Sequence, residues 1–340
     1  MKVNELRQQL KSMKKDELQT LFVEMYKQIP KKVREAKEID SLIDNPNFYK
    51  EKRKNSTLKN ETVEFEDVKI EAESFIQNAY AHHYIAPNRI ISKKERSNWR
   101  FTAKRLVDNV TSLSNDPKHM KTCASLLEEL YKLFCYASSH YVFASDTPFH
   151  TIKISQIDFL KRVILLKKQT ETPDEWIRDA VLLIIDNDAD YDTLYSSLMI
   201  VFIETLNNAP IKEKAVEICK QLIVEKKKEL KQKKVSKHSS TAFSIERKIN
   251  HLIEMVFMIQ SLLGEYEAAN TYFQKNYEED TAEVKLYIFL NLIMGYQQPK
   301  NWLMEYERAV KKGIEPRSSL QDRYDEIKRT NKFPEYMLSY

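Results

Sequence analysis

Three features of the 340-residue sequence predict an all-α fold. Glycine is nearly absent: Gly264, Gly295 and Gly313 are the only three, where average usage of about 7% would give roughly twenty-four. Apolar residues recur at helical spacing along most of the chain. Helix-start signals such as Asp116-Pro117, Thr172-Pro173 and Ala209-Pro210 punctuate that periodicity. The same glycine deficit argues against an all-β fold, which uses Gly at hairpins and bulges. No two glycines lie at loop spacing, so the P-loop, the dinucleotide-binding turn, the nucleophile elbow and the kinase glycine loop are all excluded. A hydrophobic fraction of 42% is enough for a sizeable core.

The elements follow in order. Leu6, Leu10 and Met13, then Leu18, Leu21, Phe22 and Met25, mark two helices of a hairpin, and Pro30 starts a third that ends near Leu42 and Ile43. Residues 1–45 therefore form a small N-terminal helical unit. Residues 46–63 are polar and aperiodic and read as a linker. From Phe65 the helices come at a steady beat. Phe75, Ile76, Ala79 and Tyr80 mark one, and Trp99, Ala103, Leu106, Val107 and Val110 the next. Asp116-Pro117 opens a helix through Phe134, Ser155 one through Leu166, and Thr172-Pro173 one through Ile185. Tyr191 to Leu206 and a helix from Ala209 through Ile223 complete a body spanning 64–237. Seven lysines in Lys226–Lys237 mark a charged helix end and a mobile joint. Helices resume at Ile249–Leu263, Val284–Met294 and Trp302–Val310, within a C-terminal part spanning 238–340. Short joints between helices of similar length predict helical hairpins stacked as an α-solenoid.

Residues 264–273 read Gly-Glu-Tyr-Glu-Ala-Ala-Asn-Thr-Tyr-Phe. This segment resembles the turn and second helix of a tetratricopeptide repeat. The resemblance implies that Gly264 makes the tight turn and Tyr266 packs back on the preceding helix. It also implies that Ala269 permits a close helix approach and that Phe273 fills the space beside it. Ile253 and Val256 occupy matching places on the first helix, and the unit covers 248–281. Phe257 departs from the small residue usual there, Asn276 replaces a second Ala, and the closing Pro is missing. The layout as a whole also resembles peptide-sensing regulators of Firmicutes, although residues 1–45 lack the Gly of a DNA-binding helix-turn-helix. It is similar, too, to uncharacterised bacterial helical proteins with a leucine-rich, basic start.

The charges are balanced, 55 Lys+Arg against 50 Asp+Glu for a net +5, which excludes a bulk polyanion binder and directs attention to local patches. The strongest patch is 89–105. Arg89, Lys93, Lys94, Arg96, Arg100, Lys104 and Arg105 face the single acid Glu95, with Trp99 and Phe101 between them. Arg96, Arg100 and Lys104 share a helix face by their spacing of four. Such a stripe could hold phosphates or an acidic partner, with Trp99 stacking on a base. The alternative is an exposed helix face whose Trp99 belongs to the core, with the six acids of 61–73 to neutralise it in cis.

Other constellations point to chemistry more weakly. The Asp186–Asp192 run alternates acids like a calcium loop, but Tyr191 stands where Gly is needed and Ser197 where a bidentate Glu is needed. Cys123, Cys135 and His140 lack the close ligand pairs of a structural zinc site, and His82-His83 lack a third ligand. Arg247 and His251 are spaced as an Arg–His pair on one helix. Helical RNases of the HEPN type carry such a pair with a longer spacing. The three cysteines form no disulfide framework and fit a reducing cytoplasm. No secretory signal opens the chain. No apolar run approaches the roughly 18 residues of a membrane span.

The expectation is a cytoplasmic, non-enzymatic helical-repeat interaction protein without metal or cofactor that binds a protein or peptide segment. The alternatives are a nucleic-acid-binding module centred on 89–105 and a helical RNase or toxin.

Overall fold

The computed structural model describes residues 9–11, 13–36, 39–44, 64–232 and 239–334. The expected linker at 46–63 and the end of the lysine run, 233–237, lie outside the described residues. The chain divides into two compact units, Met1–Val63 and Glu64–Tyr340. No strand occurs among the described residues; Phe143 and Ser145 form only an isolated bridge. No described helix is long and apolar enough to cross a membrane.

In the first unit α1 spans Lys15–Gln28, α2 Lys31–Ala36 and α3 Ile39–Asp44. The single helix expected after Pro30 is thus two short ones. Helix α1 buries none of its residues, and Phe22, Val23 and Met25 on it are exposed. Polar contacts hold the three helices together: Tyr26 donates its hydroxyl to Asp40 at 2.5 Å and lies under the Arg34 guanidinium, 4.4 Å from ring centre to cation.

The second unit begins with α4 (Phe65–Tyr80), α5 (Lys93–Leu113), α6 (Met120–Ser139), the short α7 (Pro148–Ile152) and α8 (Gln156–Thr170). It continues with α9 (Pro173–Ile185), α10 (Tyr195–Glu204), α11 (Ala209–Gln232) and α12 (Ser240–Leu262). It closes with α13 (Tyr266–Asn276), α14 (Ala282–Tyr296), α15 (Pro299–Lys311) and α16 (Ser318–Thr330). All the extensive helix–helix contacts join helices at most three apart in this order.

The helix starts expected at Ser155, Thr172 and Ala209 form there, and Ser92 adds a further cap. Ser92, Ser155 and Thr172 cap α5, α8 and α9 by accepting from Glu95, Asp158 and Glu175 backbone N–H groups. Three starts differ from expectation, one being that of α12, which begins at Ser240 and not Ile249, with the Ser239 side chain accepting from the Ala242 N–H. Helix α6 begins at Met120, because Asp116 closes a turn instead: its carbonyl accepts from His119 and Met120, and its carboxylate from the Lys118 N–H at 3.0 Å. Helix α10 begins at Tyr195, since residues 191–194 turn back, with Thr193 N–H on the Asp190 carbonyl.

The core of this unit is continuous and aromatic. Phe143, on the loop after α6, is fully buried and stacks on Trp99 at 4.0 Å and Phe75 at 5.8 Å, drawing α4, α5 and that loop together. Further along, Phe257, Phe273 and Phe289 bring α12, α13 and α14 into contact, with Phe273 and Phe289 stacked at 5.0 Å. Some buried polar groups are paired within this core, while Gln260 Oε1 and the Trp302 indole Nε1 have no partner among the described residues. Gln156 is 1% exposed, donates to the Asp188 carbonyl at 3.0 Å and accepts from the Asp190 N–H at 2.7 Å. It thereby fastens the 186–192 loop to α8.

One charged cluster joins three helices. The Lys167 ammonium on α8 contacts Glu128 of α6 at 2.6 Å, Asp179 of α9 at 2.7 Å and Glu171 at 2.8 Å. Burial alone would lower its pKa, but the hydrogen bonds to Asp179, Glu128 and Glu171 outweigh it and raise the pKa above the usual lysine range.

Candidate functional site

The approach to α5 is built by one asparagine. Asn88 donates to the His83 and Ala86 carbonyls at 2.6 and 2.8 Å and accepts from the Ile90 and Ile91 N–H groups at 2.9 and 2.7 Å. A short polar side chain closing its own loop is the usual role of Asn in turns. The turn leaves Arg89 and Ile90 exposed and buries Ile91. Ser92 then starts α5 with a reciprocal capping box, donating its own N–H to Glu95 at 3.0 Å. The one acid of the stripe is therefore engaged at the helix start, and its hydrogen bonds to the Ser92 side chain and backbone hold its carboxyl below the usual range.

The helix sorts the predicted site residues into three groups. Trp99 is buried at 4% exposure and stacked on Phe143, so of its two expected places, on a base or in the core, it takes the core; the 3.6-residue turn places it among Ala103, Leu106 and Val110. Arg96 and Arg105 are engaged by structure. Arg96 donates to the Ile91 carbonyl at 2.6 Å, and Arg105 makes a two-point contact with Glu71 of α4, one bond of which is 2.8 Å. Of the acids at 61–73, Glu71 alone pairs with the stripe among the described residues. The remaining cations, Arg89, Lys93, Lys94, Arg100 and Lys104, have no carboxylate partner among the described residues.

The exposed stripe consequently differs from the spacing-of-four stripe of 96, 100 and 104. Arg96 turns inward, and Lys93, Ser97, Arg100 and Lys104 occupy one face at i, i+4, i+7 and i+11. Phe101 flanks this face at 61% exposure and Ile90 precedes it at 63%. The Arg100 guanidinium lies 4.8 Å from the centre of the Phe101 ring. The aromatic available to a ligand is thus Phe101.

The repeat-like segment is a packed joint. Helix α12 ends in a Schellman turn, in which Gly264 N–H bonds the Ser261 carbonyl at 3.0 Å and Glu265 N–H bonds that of Gln260 at 2.9 Å. Gly264 has φ +80°, a conformation that L side chains rarely adopt. Ala269 and Phe273 are fully buried, and Tyr266 is half-buried at the first position of α13. The non-consensus Phe257 meets Phe273 edge-on at 6.0 Å. The same turn recurs after α15, where Gly313 and Ile314 N–H groups bond the Val310 and Ala309 carbonyls.

The other candidate residues serve packing. Arg247 and His251 both lie against Tyr195 of α10, at 5.5 and 4.5 Å. Burial, helped by Arg247, pushes the His251 imidazole down to about 4, so it stays neutral. Asp186 holds Lys226 and Lys248, both at 2.9 Å, fastening α9 to α11 and α12. His140 stacks on Tyr136 at 3.9 Å, His82 bonds the Tyr141 carbonyl at 3.2 Å, and His83 bonds the Asn78 side chain of α4 at 2.9 Å. Cys123, Cys135 and Cys219 are buried, and burial raises their thiols to about 11, 12 and 12. No group of three potential metal ligands occurs among the described residues.

Comparison with protein-family models, curated proteins and solved structures gives no match to this chain.

Proposed function

We propose that this chain is a non-enzymatic helical-repeat interaction protein and that the outer face of α5 binds an acidic, partly apolar protein segment. The single observation carrying this reading is that five cations on or beside α5 have no carboxylate partner, next to two large exposed side chains, Phe101 and Ile90. Cations left without partners attract an acidic segment and set its register, while the apolar groups supply contact area. Contacts confined to helices near in chain order, and the recurrent Schellman joint, support a repeat-built body.

A nucleic acid is the second reading, favoured by one contact: the Arg100–Phe101 pair offers a cation over an aromatic face on which a base could stack. The burial of Trp99 leaves only that one aromatic on the stripe, which weighs toward the protein segment.

Fluorescence anisotropy separates the two. A labelled acidic peptide with interspersed leucines is compared with a labelled single-stranded RNA at low and moderate salt. The peptide is expected to bind, with affinity falling as salt rises. Binding of the RNA alone transfers the site to the second reading, and no affinity for either at low salt removes the site.

A further inference from the structure

A second cationic site lies away from α5, in a cleft of about 490 Å³ between α13, α14 and α15. Small-molecule sites span roughly 300–1,000 Å³. Its rim carries Lys275, Lys285, Arg308 and Lys312, and Leu286 and Ala309 supply apolar wall. Two deeply buried polar side chains also line it. Asn270 is 5% exposed; its oxygen accepts from Gln297 at 2.8 Å, while no described residue engages its amide hydrogens. Glu305 is 4% exposed; one oxygen accepts from Arg308 at 2.7 Å, and the other is engaged by no described residue.

The four cations include structural ones. Lys285 caps the end of α13 by donating to the Gln274 and Tyr277 carbonyls at 2.8 and 2.7 Å. Burial lowers its pKa, as expected for an ammonium held on carbonyls without a salt bridge. Lys275 and Lys312 are exposed and have no carboxylate partner among the described residues. The ends of α13 and α15 contribute about half a negative charge each. With Glu305 and the positive N-terminal end of α14 included, the cleft keeps a net charge of about +2.5. The first turn of α14 faces it too: Ala282 lines the cleft, and the N-cap Thr281 makes no side-chain cap.

We infer that this cleft binds a phosphorylated small molecule carrying a hydroxyl or amino group. The phosphate lies between Lys275 and Lys312, with the Asn270 amide donating to it, and the ligand's own donor bonds the open oxygen of Glu305. A phosphate dianion offsets most of the net charge of the cleft. The open carboxylate oxygen takes a hydroxyl or amino donor of the ligand, while the phosphate group itself is held by Lys275, Lys312 and the Asn270 amide. The site is independent of the α5 surface.

Calorimetric titration of the full chain with ribose 5-phosphate, inorganic phosphate and ribose tests the inference. Ribose 5-phosphate is expected to bind one to one and more tightly than phosphate, and ribose not at all. Lys275→Glu with Lys312→Glu weakens binding by about tenfold or more. These side chains are exposed, and circular dichroism checks that the fold is kept. Glu305→Gln narrows the preference for ribose 5-phosphate over phosphate, because the amide is a weaker acceptor than the carboxylate. Lys93→Glu with Lys104→Glu, on α5, leaves binding unchanged. The inference is overturned if ribose 5-phosphate does not bind, binds no better than phosphate, or is unaffected by the Lys275/Lys312 pair of changes. Loss of binding in the α5 variant overturns it as well.

Discussion

The Lys167 cluster and the outer face of α5 are both rich in charge, and they do opposite things with it. Three carboxylates, from α6, α9 and the cap of α8, surround Lys167, whose side chain is 5% exposed. On α5, Arg100 and Lys104 project from one helix and meet no carboxylate among the described residues. In sequence both are lysines and arginines at helical spacing. The difference arises from what packs against them: α8 lies between α6 and α9, whereas only the inner face of α5 meets α4 and α6. A cation enclosed by carboxylates fixes structure, and one left in water remains available to a partner.

The largest expected effect breaks the first half of this comparison. Lys167→Met removes the partner of Glu171 and Asp179, leaves Glu128 with Lys132 alone, and should cost about 3–5 kcal/mol, read by denaturant unfolding. A cost under about 1 kcal/mol would place the cluster with ordinary surface pairs. Phe273→Ala should cost a similar 3–5 kcal/mol by emptying the stacked site beside Phe289, and Ala269→Leu about 1–3 kcal/mol by overfilling it. Unchanged melting at either position would show that the α12–α13 joint is not close-packed.

The comparison sharpens within α5 itself, between two aromatics two residues apart. Trp99→Ala should cost about 3–5 kcal/mol, because Trp99 stacks on Phe143 in the core. Phe101→Ala should stay within about 0.5 kcal/mol in stability while weakening the acidic peptide. Equal melting temperatures for the two variants would contradict the placement of Trp99.

A smaller effect concerns protons. Burial lowers His251 from 6.5 to about 4, so its contribution to stability is present above pH 6.5 and lost as pH falls toward 4. Glu254, one turn along and raised by burial to about 7, acts in the opposite sense and loses its contribution as pH rises from 4.5 to 7. His251→Gln should therefore flatten the fall in melting temperature between pH 6.5 and 4, and an unchanged slope would show that the ring titrates normally.

Sequence reading reached the features that depend on near neighbours. Glycine scarcity and periodicity gave the helices, and the expected Ser155 and Thr172 caps lie within three residues of their partners. It placed the basic stretch on a helix, but it could not tell which cations were engaged. The partner of Arg105 is Glu71, on another helix, and Trp99 is covered by Phe143, from a loop more than forty residues later. Phe101 could have been chosen over Trp99 by phase, since Ala103, Leu106 and Val110 fix the buried side and Phe101 falls opposite it. The α13–α15 cleft had no sequence signature. Asn270, Lys285 and Glu305 come from three helices, and each alone looks like an ordinary surface residue.

The most direct test of the account compares two pairs of charge reversals on α5. Affinity for the acidic peptide at low salt and melting temperature are measured for Arg100→Glu with Lys104→Glu, and for Arg96→Glu with Arg105→Glu. The first pair is predicted to abolish binding with stability kept within about 0.5 kcal/mol. The second pair should lower the melting temperature, since it removes the bond to the Ile91 carbonyl and sets a carboxylate against Glu71, while leaving measurable binding. Full binding retained by the Arg100/Lys104 variant would contradict the claim that the outer face of α5 is the binding surface.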